Sequence, residues 1–148
     1  MTTSRATFQD CELILRLFEL RREATMRQAR SYIGGKFAPR SAEDMVAIVG
    51  SGTPESAYML QVYGYWDMVA AFVLDGPLNP QLVYDTSQEM YFQYAKIQPY
   101  LAEFRRLMKL PEWMRSLERF VEGSPEGRAR LTDMRNNLDS MTADRTQP

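Results

Sequence analysis

Residues 53–77 read TPESAYMLQVYGYWDMVAAFVLDGP, and the fold follows from how this stretch is read. Thr53 offers an N-cap hydroxyl, Pro54 suits the first helical position, and Glu55 puts an acid in the first turn. Asp75-Gly76-Pro77 closes the segment. Between these signals apolar side chains point in every direction: Tyr58, Met59, Leu60, Val62, Tyr63, Tyr65, Trp66, Met68, Val69, Phe72, Val73 and Leu74. A helix without a polar face is enclosed by other helices. Gly64 and Ala71, seven residues apart, are expected to let a neighbouring backbone come close. The apolar run from Ala57 to Leu74 is short for a bilayer span, carries Gln61 and Asp67, and places its aromatics mid-run instead of at the ends. It reads as a buried helix, with no membrane partner expected.

Working toward the N-terminus, the spacing predicts one helix from about Phe8 to Ile33, ending at Gly34-Gly35 where φ > 0 is accessible. Leu13, Leu17, Leu20 and Ala24 form its apolar stripe. Glu12–Arg16 and Glu23–Arg27 have the favourable i,i+4 order on the opposite face, each contributing about 0.3 kcal/mol. A nucleic-acid helix lacks such interleaved carboxylates, so no nucleic-acid partner is expected. Ser41 and Asp44 form a cap before a short helix that ends at Gly50.

Toward the C-terminus, Asn79-Pro80 opens a short turn, and Thr86 with Glu89 reads as a capping box before Met90–Ile97. Pro99 kinks or splits that helix. Pro111 restarts the chain ahead of Trp113, Met114, Leu117, Phe120 and Val121. Ser124-Pro125-Glu126 starts the last helix, whose seam is Leu131, Met134, Leu138 and Met141. Strand alternation and hairpin signals are absent. The expectation is an all-α single compact bundle of six or seven helices around the central apolar helix. That helix should be enclosed by the first helix and the segments around Pro99. Residues 1–141 form the domain, and 142–148 a flexible tail.

The chain of 148 residues is 45% apolar and 25% charged, ordinary for one globular domain. Its charge is uneven. Residues 1–40 hold eight basic and four acidic groups, residues 41–104 one and eight, and residues 105–148 nine and seven, for a net −1. The basic ends are therefore expected to pack around an acidic middle. A lone Cys11 suits a reducing cytoplasm, and no signal-peptide pattern opens the chain.

The segments Leu20-Arg21-Arg22-Glu23 with Met26-Arg27, Gly64-Tyr65-Trp66-Asp67-Met68, and Met90-Tyr91-Phe92 with Lys96 resemble an uncharacterised family of small all-helical bacterial proteins. The likeness spans about residues 10–122. It implies the fold class, and it brings no functional residue with it.

There is no histidine. A Glu-x-x-His di-iron site is therefore excluded, a zinc site would need one Cys plus carboxylates, and no EF-hand spacing exists. No metal and no cofactor are expected. Serine and cysteine nucleophiles lack a histidine base, and no S-x-x-K spacing replaces it. The candidate polar or ligand site is Asp67 with Glu89, Tyr63, Tyr91 and Arg22. Asp67 reads either as an acid–base group in an aromatic pocket or as a structural carboxylate paired with Arg21, Arg22 or Lys96. The residue types favour a non-enzymatic helical interaction module, self-associating or bound to a protein partner. Leu131, Met134, Leu138, Met141 and the first helix are its candidate surfaces. The alternative is a small-molecule binder or enzyme using a pocket around Asp67, Glu89 and the tyrosines.

Overall fold

A computed structural model describes residues 4–145, and it is all-helical. Among the described residues nine α-helices follow one another: α1 (Phe8–Arg21), α2 (Ala24–Gly35), α3 (Ala42–Val49), α4 (Pro54–Leu74), α5 (Pro80–Thr86), α6 (Gln88–Ile97), α7 (Leu101–Met108), α8 (Arg115–Glu122) and α9 (Pro125–Arg145). A 3₁₀ turn over Gln98–Tyr100 joins α6 to α7, where Pro99 interrupts regular helix. No strand occurs among the described residues.

The core forms around α4, which buries Met59, Val62, Tyr63, Trp66, Val69 and Ala70. Its principal neighbours are α2, α8 and α3. The segments flanking Pro99 share this core, but their main packing is elsewhere, α6 against α9 and α7 against α3. This corrects the expected cage, because α8 takes the place assigned to them. Nor does Gly64 admit a close backbone: it is exposed, and a Cβ there would meet nothing within 4 Å.

The extra helices over the six or seven expected arise partly from a break in the first one. The chain leaves α1 at Arg22 and re-enters helix at Ala24. Glu23 sits at that junction with extended ψ, and its carboxylate accepts from the amides of Thr25 and Met26 at 3.0 and 2.9 Å. The side chain expected to pair with Arg27 thus caps α2. Likewise Thr86 closes α5, its hydroxyl donating to the Leu82 carbonyl at 2.7 Å, so no Thr86–Glu89 box forms. At the end of α2, Gly34 and Gly35 stay helical; the one glycine among the described residues with positive φ is Gly52.

Thr53 stands at the N-cap of α4 as expected, but its hydroxyl meets Ser51 Oγ at 2.7 Å and makes no cap hydrogen bond. The remaining caps are as expected. Ser41 accepts from the Asp44 amide, Asn79 from the Leu82 amide, and Ser124 from the Gly127 amide. Gly127 is required, because a Cβ would lie 2.1 Å from the Val121 carbonyl oxygen. α9 remains helical through Arg145, and residues 146–148 of the expected tail lie outside the described residues.

Candidate functional site

Asp67 lies on the α8-facing side of α4. Its Oδ1 accepts from the Leu117 amide at 2.8 Å, in the first turn of α8. The residue before that helix, its N-cap Met114, is left-handed (φ 59°) and supplies no side-chain cap. A carboxylate 50 residues away in sequence therefore satisfies an orphan amide and complements the positive end of α8. Arg105 holds the same junction from α7, donating to the Trp113 carbonyl at 2.7 Å and pairing with Glu118 at 2.9 Å. None of the expected cations pairs with Asp67.

Glu89 belongs to a different junction. From the first turn of α6 it receives Arg30 Nε at 3.0 and 3.1 Å and Arg30 Nη2 at 2.5 Å, with Arg21 Nη1 at 3.5 Å. The basic N-terminal helices thus meet the acidic middle here, as the charge distribution implies. Arg21 is buried, its guanidinium carbon 3.9 Å from the Phe18 ring centroid and 5.2 Å from that of Trp66. Burial pulls the Arg21 pKa down, whereas the Glu89 hydrogen bonds raise that of Arg30. Arg22, the predicted partner, is exposed at the α1–α2 break.

The tyrosines fill the core and anchor helices. Tyr63 is fully buried and donates to the Gln93 carbonyl at 2.8 Å, tying α4 to α6. Tyr65 donates to the Leu17 carbonyl at 2.7 Å, tying α4 to α1. Tyr91 stacks on Tyr84, its hydroxyl buried without a partner. Burial raises the pKa of Tyr63 and Tyr91 well above the usual phenol range and that of Tyr65 to about 12. The five nominated residues therefore fall at separate positions: Asp67 against α8, Glu89 against α1 and α2, Tyr63 and Tyr91 inside, Arg22 outside.

The matching family is described as "Domain of unknown function (DUF4760)", and the match runs over residues 6–124. The chain belongs to the DUF4760 family. This agrees with the resemblance drawn from the sequence, and the whole of α9 lies past the matched stretch. No curated protein and no solved structure matches the chain.

Sequence reasoning passed over two features of this DUF4760 member. The first is which residues make the outer face of the first helix, itself named as a candidate surface: Phe8 and Leu15 of α1, 74% and 64% exposed. With Cys11 between them they follow a three-then-four spacing, the seam of a helix awaiting a partner helix. The spacing was legible, but Leu13, Leu17 and Leu20 drew attention to a different stripe. Leu20 is in fact exposed, while Ile14 and Leu17 face the core.

The second is a cleft between the α2–α3 connection, α6 and α9. Lys96 forms part of its wall, donating to the carbonyls of Ile33, Gly34 and Phe37 and so capping the C-terminal end of α2. Burial, then the like charge of Arg145, pushes its pKa down to about 8. The predicted seam divides here. Leu131 and Met134 pack against the core, while Leu138 and Met141 line the cleft. Among the described residues no three carboxylate or thiol groups come together as a metal site, and no helix is long and apolar enough to cross a membrane.

Proposed function

We propose that this chain is a non-enzymatic helical interaction module that self-associates through the outer face of α1, in the cytoplasm of a bacterium. The observation that carries the reading is the exposure of Phe8 and Leu15 on one face of a helix whose other face is already docked. Large apolar residues at heptad spacing on a surface helix favour packing against a second such helix. The polar groups that an enzyme would need support the same view by their engagement: Asp67 on the Leu117 amide, Glu89 on Arg30 and Arg21, Tyr63 on the Gln93 carbonyl. The lone, exposed Cys11 is in keeping with a reducing compartment.

The test is multi-angle light scattering across a wide range of protein concentration. The wild-type chain should rise above monomer mass with concentration, and the Phe8→Ser/Leu15→Ser double variant should stay monomeric with an unchanged helical spectrum. A wild-type chain that is monomeric at every concentration contradicts the proposal.

A further inference from the structure

We infer that the cleft between the α2–α3 connection, α6 and α9 binds a small amphipathic carboxylate, an acid headgroup on a short alkyl or aryl body. The site is distinct from the α1 face, and the inference stands whether or not α1 pairs. The cleft offers about 200 Å³, the share of on the order of six or seven waters at ~30 Å³ each. That is the size of a hexanoate or a phenylacetate.

Two kinds of lining meet there. Phe92, Tyr100, Leu138 and Met141 present an apolar wall for the body of the ligand. Lys96, Arg135 and Arg145 bring three cations against the single carboxylate of Asp139. The Lys96 ammonium is engaged by three backbone carbonyls, so its charge contributes to the field while its protons are committed. It also occupies the Phe92 ring, 4.8 Å from the centroid, which leaves that face closed to a cationic ligand. Recognition of the headgroup falls to the guanidinium groups. Arg135 uses one Nη2 hydrogen bond on Gln98 at 3.1 Å and keeps further donors, and Arg145 stands exposed at the rim. Guanidinium groups bind carboxylates through paired, charge-assisted hydrogen bonds. Both arginines lie past residue 124, where the family match ends, whereas Phe92, Lys96 and Tyr100 lie within it.

The experiment is a two-dimensional amide NMR titration of the whole chain with hexanoate and phenylacetate. Their neutral amides, hexanamide and phenylacetamide, and phenethylamine as the cation are titrated in parallel. Saturable shifts are expected at Gly34, Gly35 and the amides around Leu138–Thr142, with the acids binding at least about tenfold more tightly than the amides, as loss of one charged hydrogen-bonding group implies. Arg145→Gln and Arg135→Gln should each weaken acid binding about tenfold and leave the rest of the spectrum in place. Equal binding of acid and amide overturns the inference, as does tighter binding of phenethylamine. Shifts mapping to another surface, or no saturation at millimolar acid, overturn it equally.

Discussion

α1 and α4 lie against each other, joined by the Tyr65 hydroxyl on the Leu17 carbonyl, yet they treat apolar residues in opposite ways. α4 is apolar nearly all round and has Tyr63, Trp66 and Val69 at 1% exposure or less. α1 is amphipathic, buries only Asp10, Ile14, Leu17 and Arg21, and leaves Phe8 and Leu15 in solvent. Apolar content alone does not tell interior from interface. What separates them is whether the chain supplies enough neighbours: α4 has helices on three sides, whereas α1 has one docked face.

The sharpest way to break this contrast is to truncate one aromatic on each helix. Trp66→Ala should cost about 3–5 kcal/mol in urea unfolding, the range for a large aromatic removed from a packed core. Phe8→Ser should change monomer stability by no more than about 0.5 kcal/mol, as an exposed position implies. A Phe8→Ser loss approaching that of Trp66→Ala would mean that α1 buries this face within the monomer.

The two carboxylates draw the comparison at a finer scale. Glu89→Gln leaves Arg21, buried on Trp66 and Phe18, without its counter-charge. The expected loss is about 2 kcal/mol, below the ~3–5 of fully buried pairs because Arg30 and Glu89 retain some solvent. Asp67→Ala removes the tertiary cap of α8 and should cost about 1 kcal/mol, with Asp67→Asn recovering most of it because the amide oxygen still accepts. Chemical denaturation of the three variants checks the order. If Asp67→Asn proved worse than Asp67→Ala, the capping account of Asp67 would be wrong.

Alkaline pH sharpens the view of the core. Tyr63, Tyr65, Tyr91 and Tyr94 have raised pKa values because burial disfavours the phenolate. The unfolded chain therefore loses these protons first, near pH 10, and their contribution to stability is complete below that value and declines as pH climbs toward 12. Lys96 acts in the opposite sense. Its folded pKa of about 8 lies below the usual 10.5, so the stability it contributes rises between those values. Thermal melts should show a slight gain above pH 8 and a steep loss above pH 10, and Lys96→Met should remove the gain.

The smallest effect concerns salt. Glu12 and Glu19 stand one turn beyond Phe8 and Leu15 on the same exposed face, and a second copy brings the same charges to the contact. Added salt should therefore strengthen self-association by screening them.

Much of this fold was legible because helix punctuation is local. Thr53-Pro54, Asn79-Pro80 and Ser124-Pro125 each open a helix where expected. The break at Arg22–Glu23 was not legible, since Glu23 with Arg27 has the same spacing whether it forms an ion pair or a cap. The partners of Asp67 and Glu89 were hidden for another reason. Leu117 is 50 residues from Asp67 and Arg30 is 59 from Glu89, and periodicity carries no information about such meetings. Deciding which stripe of α1 faces inward likewise depended on the placement of α4.

Cys11 gives the most direct probe of the α1 face, because it is the only cysteine in the chain and lies between Phe8 and Leu15. Its rate of alkylation by a maleimide, measured from dilute to concentrated protein, should fall several-fold as copies pair over it. The Phe8→Ser/Leu15→Ser variant should hold its dilute rate throughout. A thiol that reacts as fast in concentrated wild-type protein as in dilute would contradict self-association through α1.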